Sequence, residues 1–84
     1  MNSFEKLIHV CKAYVDSALS MEDFQHEIEM IILPDVCKYT LEKEQHNAAS
    51  RLEEIRFTIL PENQSRYAIM VAEDLIHKVN ALLN

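Results

Sequence analysis

Residues 13–37 read AYVDSALSMEDFQHEIEMIILPDVC, and this stretch decides how the chain is organised. Tyr14, Val15 and Ala18 close an apolar stripe at helical spacing, and Ser17 to Ser20 interrupts it. Ser20 followed three residues later by Asp23 then has the form of a helix capping box. Met21, Phe24, Ile28, Ile31 and Ile32 recur on one side of a second helix, predicted over residues 21–33. Pro34 stops it, because proline has no N–H to donate and biases Leu33 out of the helical region. The opposite arc carries Glu22, Asp23, Glu27 and Glu29. Between Lys12 and Lys38 lie six carboxylates, Asp16 and Asp35 completing the set, and no Lys or Arg. Acids in a first turn suit the positive end of the helix dipole, which accounts for Glu22 and Asp23. It does not account for Glu27, which sits one turn after Asp23 and repels it by about 0.2–0.5 kcal/mol. Like charges held together on one stiff helix suggest a surface for a cationic partner.

Upstream, Asn2 and Ser3 are N-cap candidates, with Glu5 in the capping-box position after Asn2. Phe4, Leu7, Ile8, Cys11, Tyr14, Val15 and Ala18 recur at spacings of three and four, which predicts an amphipathic helix of about four turns. Downstream, residues 35–39 read as a short turn or an ordered connection. Thr40 is the expected cap of a long third helix to Leu60, with Leu41, Ala48, Leu52, Ile55 and Ile59 inward. The outer face of that helix mixes Glu42, Lys43, Glu44, Arg51, Glu53, Glu54 and Arg56, so it reads as solvated. Pro61 to Ser65 is a turn by composition. A last helix from Ser65 carries Ala68, Met70, Val71, Leu75, Ile76, Val79, Leu82 and Leu83. Four amphipathic helices with short connections can bury their stripes only against one another. The expectation is an all-α fold, a compact antiparallel bundle of four main helices forming a single domain over residues 1–84.

Composition narrows function. The 84 residues contain no glycine, and phosphate-cradling loops, dinucleotide fingerprints, nucleophile elbows and calcium loops all need one. The formal net charge of −6 and pI near 5.0 argue against direct nucleic-acid binding, which asks for a basic face. No apolar run is long enough for a membrane span. The opening MNSFEKLIHVCK has acid early and no small-residue cleavage site, so a leader is not expected and a cytoplasmic location is. Cys11 and Cys37 are expected to be reduced thiols. His9, His26, His46 and His77 show no local metal-ligand spacing, and no nucleophile sits on a sharp turn. Neither metal, cofactor nor enzymatic activity is expected.

The residues expected to carry contact with a partner are Glu22, Asp23, Glu27, Glu29 and Asp35, bordered by Glu42, Glu44 and Tyr39. Tyr39 follows the acidic block and has the rigid, amphipathic ring favoured at interface hot spots. Tyr14 falls on an apolar stripe and belongs to the core.

The run Leu7-Ile8 leading to Tyr14-Val15-Asp16-Ser17-Ala18-Leu19-Ser20 and then Glu22-Asp23-Phe24, with Leu60-Pro61-Glu62-Asn63 before the last helix, resembles the colicin D-type immunity proteins and the immunity proteins of contact-dependent growth inhibition systems. That resemblance implies a small acidic helical bundle that binds a basic nuclease toxin, often one that cleaves transfer RNA, and blocks its active site. Carboxylates on a rigid helix can take the positions of phosphates and form charge-assisted contacts with Arg and Lys. The partner implied is a cognate toxin, with the chain itself a monomer. The alternative is a helical adaptor or homodimerisation module that uses an exposed apolar stripe of the last helix.

Overall fold

A computed structural model describes residues 2–34 and 38–83, which form four helices and, among the described residues, no strand: α1 (Ser3–Val15), α2 (Met21–Met30), α3 (Lys38–Thr58) and α4 (Pro61–Leu83). The helices pack in a ring in which α1 and α3 each contact both α2 and α4. Paired residues run in opposite senses along neighbouring helices. Glu44 meets Lys78 while Arg56 meets Gln64, and Ser3 meets Ile32 while Tyr14 meets Phe24. The bundle is therefore antiparallel throughout. A radius of gyration of 12.2 Å matches the roughly 12 Å expected for a compact chain of this length.

One core receives side chains from all four helices, with Phe24, Leu7, Ile28, Leu41, Leu52 and Leu75 fully buried at its centre. The Tyr14 and Phe24 rings stack with centroids 4.6 Å apart and planes 9° from parallel, locking the end of α1 to the start of α2. Burial raises the Tyr14 phenol, and its hydrogen bond with Ser65 pulls it partly back. Cys11 is a free, buried thiol that its apolar surroundings push up to about 12, so it is protonated and unreactive at neutral pH. Cys37 lies outside the described residues.

The starts of α1 and α2 follow the sequence closely. Asn2 Oδ1 accepts from the Glu5 N–H at 2.8 Å while Asn2 Nδ2 donates back to the Glu5 carboxylate at 3.2 Å. Ser20 Oγ accepts from the Asp23 N–H at 3.1 Å. The end of α1 is a Schellman motif: the Ala18 N–H reaches the Ala13 carbonyl, and the Ser17 N–H the Tyr14 carbonyl. It places Ser17 at φ 65°, the left-handed position glycine normally takes, at a cost of about 1–2 kcal/mol for a residue with a Cβ.

Four boundaries and several apolar assignments depart from expectation. The second helix ends at Met30, not at residue 33; Pro34 has no N–H to give the Met30 carbonyl four residues back, and a side chain on α3 bonds the carbonyls at this end. Gln45, buried, donates its Nε2 to the Ile28 carbonyl at 2.6 Å and the Ile31 carbonyl at 2.7 Å. These bonds satisfy carbonyls that the helix would otherwise leave open, and the backbone turns extended at Ile31. An extended chain alternates sides, so Leu33 returns to the core while Ile32, expected on the apolar face, is 85% exposed. The third helix begins at Lys38, which puts Thr40 inside its first turn rather than at its cap, and stops at Thr58.

Pro61 to Ser65, read as a turn, is the start of α4. Proline is preorganised for the first helical position, where its missing N–H is no loss. Gln64 reaches back to the last carbonyls of α3, donating to Ile59 at 2.9 Å and Arg56 at 3.3 Å. Polar residues that looked like a turn are thus caps. On α4 itself, Met70 and Leu82 are exposed rather than inward.

Candidate functional site

The charge pattern of α3 decides which acids are available. Glu42 and Glu44 are two residues apart, which on a helix puts them on opposite sides. Glu44 faces α4, where Lys78 Nζ lies 2.7 Å from its carboxylate and 3.0 Å from that of Asp74; Arg51 comes within 3.7 Å of the same Asp74. The Glu44 hydrogen bond, then that of Asp74, raises the Lys78 ammonium above its usual value. Glu44, expected at the border of the partner surface, is held instead in an ion-pair network on the far side of α3.

Glu42 faces α2 and begins a stripe. Residues spaced four, seven and eleven further on, His46, Ala49 and Glu53, follow it along one side of the helix. Together with Glu29 they line a groove of about 670 Å³ between α2 and α3, floored by Ile31, Leu33 and Gln45. Among the described lining residues there are three carboxylates and no Lys or Arg. Glu29 is aimed by a relay: Arg56 Nη1 donates to Gln25 Oε1 at 2.9 Å, and Gln25 Nε2 donates to the Glu29 carboxylate at 3.2 Å. The apolar floor lowers the local dielectric, so a cation entering here is attracted more strongly than on an open surface.

The remaining predicted residues are spread around this groove. Glu22, 77% exposed in its side chain, has Arg56 Nη2 at 3.9 Å, a long pair that leaves it largely solvated. Asp23 is exposed on the crown of α2. Glu27 lies on the other flank, in a shallower cleft toward α1 shared with Lys6 and His9. The structure thus brings together Glu29 and Glu42, spaces Asp23 and Glu27 across the exposed arc of α2, and gives Glu22 a partial partner. Asp35 and the Tyr39 side chain lie outside the described residues.

Two members of the groove were not singled out in the sequence, Glu53 and His46. The signal was present in the spacing from Glu42, but was hidden by Arg51, which turns toward Asp74 on α4, and by Arg56, which reaches across to Gln25 and Glu22 on α2. His46 and Ser50 are one turn apart in the groove, but no hydrogen bond joins them among the described residues. Both sit mid-helix, where the backbone N–H groups are committed to the helix and cannot hold an oxyanion. No group of three or more His, Cys, Asp or Glu among the described residues is arranged to hold a metal ion. Among the described residues, no helix is long and apolar enough to cross a membrane. The chemistry the site offers is recognition of positive charge beside apolar surface.

No protein-family model, curated protein or solved structure matches this chain.

Proposed function

We propose that this protein is an immunity-type inhibitor, which binds a basic toxin, of the kind that cleaves RNA, and covers its active site. The observation that supports this reading is the groove between α2 and α3, where Glu29, Glu42 and Glu53 face one opening with no Lys or Arg among the described lining residues. A nuclease must attract phosphate, so its active site presents cations, and carboxylates on rigid helices can occupy the same positions. The exposed acids of α2, Asp23 and Glu27, extend the negative field beyond the groove and speed encounter with such a partner. The resemblance to colicin D-type and contact-dependent growth inhibition immunity proteins points the same way, and on this reading the inhibitor acts in the cytoplasm as a non-enzymatic, cofactor-free monomer.

The test is protection. The product of the reading frame beside this one is expressed under inducible control, with and without the chain, and growth is followed. Growth arrest relieved by the chain, and restored by Glu29→Lys with Glu42→Lys, supports the reading. Arrest that the chain does not relieve, or a harmless neighbour, removes it.

A second reading, self-association, is favoured by one observation: Tyr67 and Met70, 42% and 55% exposed, border an apolar cleft between α3 and α4. Size-exclusion chromatography over a hundredfold range of concentration separates the two readings. A shift toward twice the mass as concentration rises supports the dimer; constant monomer mass supports the inhibitor.

A further inference from the structure

The shape of the groove carries the inference past a general attraction to cations. Its floor is Ile31, Leu33 and Gln45, with Ala49 beside them, and its two walls bear carboxylates from different helices, Glu29 from α2 and Glu42 and Glu53 from α3. A single lysine or arginine would satisfy one of these acids and leave the floor wet. Glu42 and Glu53 are eleven residues apart, which spans roughly 16 Å along a helix, or three turns. Ile32 at the α2–α3 exit and Phe57, one turn beyond Glu53 on the same stripe, are 85% and 75% exposed, so large apolar side chains stand at both ends of the row of acids. Apolar surface beside three carboxylates, with no Lys or Arg among the described lining residues, fits an element that is itself two-sided, apolar along one ridge and cationic on both flanks.

We infer that the groove receives an amphipathic basic helix of about three turns, contributed by the partner protein, which lies between α2 and α3 as an additional helix of the bundle. This rests on the proposed binding of a cationic partner and names the element of the partner that does the docking. The partner's apolar ridge covers Ile31, Leu33 and Ala49 while its Lys or Arg residues meet Glu29 on one wall and Glu42 and Glu53 on the other. This is recognition of an amphipathic helix by an apolar groove, with ionic flanks fixing its register. Long cationic side chains suit it, because their methylenes cover apolar surface while their heads reach the acids.

The inference is tested with three labelled synthetic peptides of 18 residues in fluorescence anisotropy. The first is an amphipathic helix with leucines at three- and four-residue spacing and Lys or Arg on both flanks. The second has the same composition in an order that destroys the ridge, and the third replaces its cations by glutamates. Tighter binding of the first than the second by at least tenfold, with gain of helicity, is the expected result. The Glu29→Gln, Glu42→Gln, Glu53→Gln variant should lose most of that affinity while its own circular dichroism stays unchanged. Equal binding of the first two peptides removes the helix and leaves the cationic reading standing. Failure of both cationic peptides, or binding of the acidic one as tightly as the first, overturns the inference together with the reading beneath it.

Discussion

The two sides of α3 hold the same kind of residue in opposite circumstances. Toward α4, Glu44 and Asp74 share Lys78, and Arg51 stands beside Asp74. Toward α2, Glu42 and Glu53 share a groove with Glu29 and, among the described lining residues, no cation. The carboxylates on the first side tie the bundle together; those on the second have no ion pair among the described residues. The lesson is that an acidic surface becomes informative where its charges are left uncompensated, not where they are numerous.

The largest blow to this contrast comes from Gln45, which holds the floor of the groove and the end of α2. Gln45→Leu keeps the volume but leaves the Ile31 carbonyl without its donor and the Ile28 carbonyl with only the 3.4 Å bond from the Ile31 N–H, and should cost about 2 kcal/mol in urea denaturation. A loss under 1 kcal/mol would mean that α2 ends there for another reason. Alkaline pH comes next, and it acts on the core and the α3–α4 side alone. Cys11 is raised from 9.0 to about 12, so the folded state keeps its proton while the unfolded chain loses it. Stability is thus full below pH 9 and falls as pH rises toward 12. Lys78, also raised, adds to the loss above its unfolded value of 10.5. Unfolding midpoints measured from pH 7 to 11 should decline, and Cys11→Ala should flatten the first part of that decline.

The smallest effect makes the sharpest comparison. Glu44→Gln should lower Tm by about 2–4 °C at low salt, an effect that fades in 1 M NaCl. Glu42→Gln, two residues away, should leave Tm unchanged or raise it slightly while weakening partner binding. If the two substitutions behave alike, the two sides of α3 are not different in the way described.

Much of the fold was legible because it rests on local rules. The caps at Asn2 and Ser20, the stripes of α1 and α2 and the inward leucines of α3 all follow from spacing and side-chain chemistry. What escaped was set by contacts between helices. Gln45 lies off the apolar spacing of α3 and carries no signal of its own in the sequence, yet it is buried, donating to the carbonyls at the end of α2. Gln64 made residues 61–65 look like a turn when it was capping the preceding helix. Ile32 looked like core because a helix was expected where Gln45 imposes extended chain. The candidate site was half legible for the same reason: Glu29 and Glu42 were marked by charge, but Glu53 was masked by neighbouring arginines, of which Arg51 pairs with Asp74 on α4 and Arg56 bonds Gln25 on α2.

Gln45 also bears on the order in which the molecule assembles. The final carbonyls of α2 find their donor 17 and 14 residues further along the chain, so that terminus is completed only when α3 docks. The last turn of α2 should therefore exchange its amide hydrogens together with α3, in one cooperative opening, rather than fray alone as free helix ends do. One wall of the groove then takes its form no earlier than the other, and the acids on both become aligned in a single event.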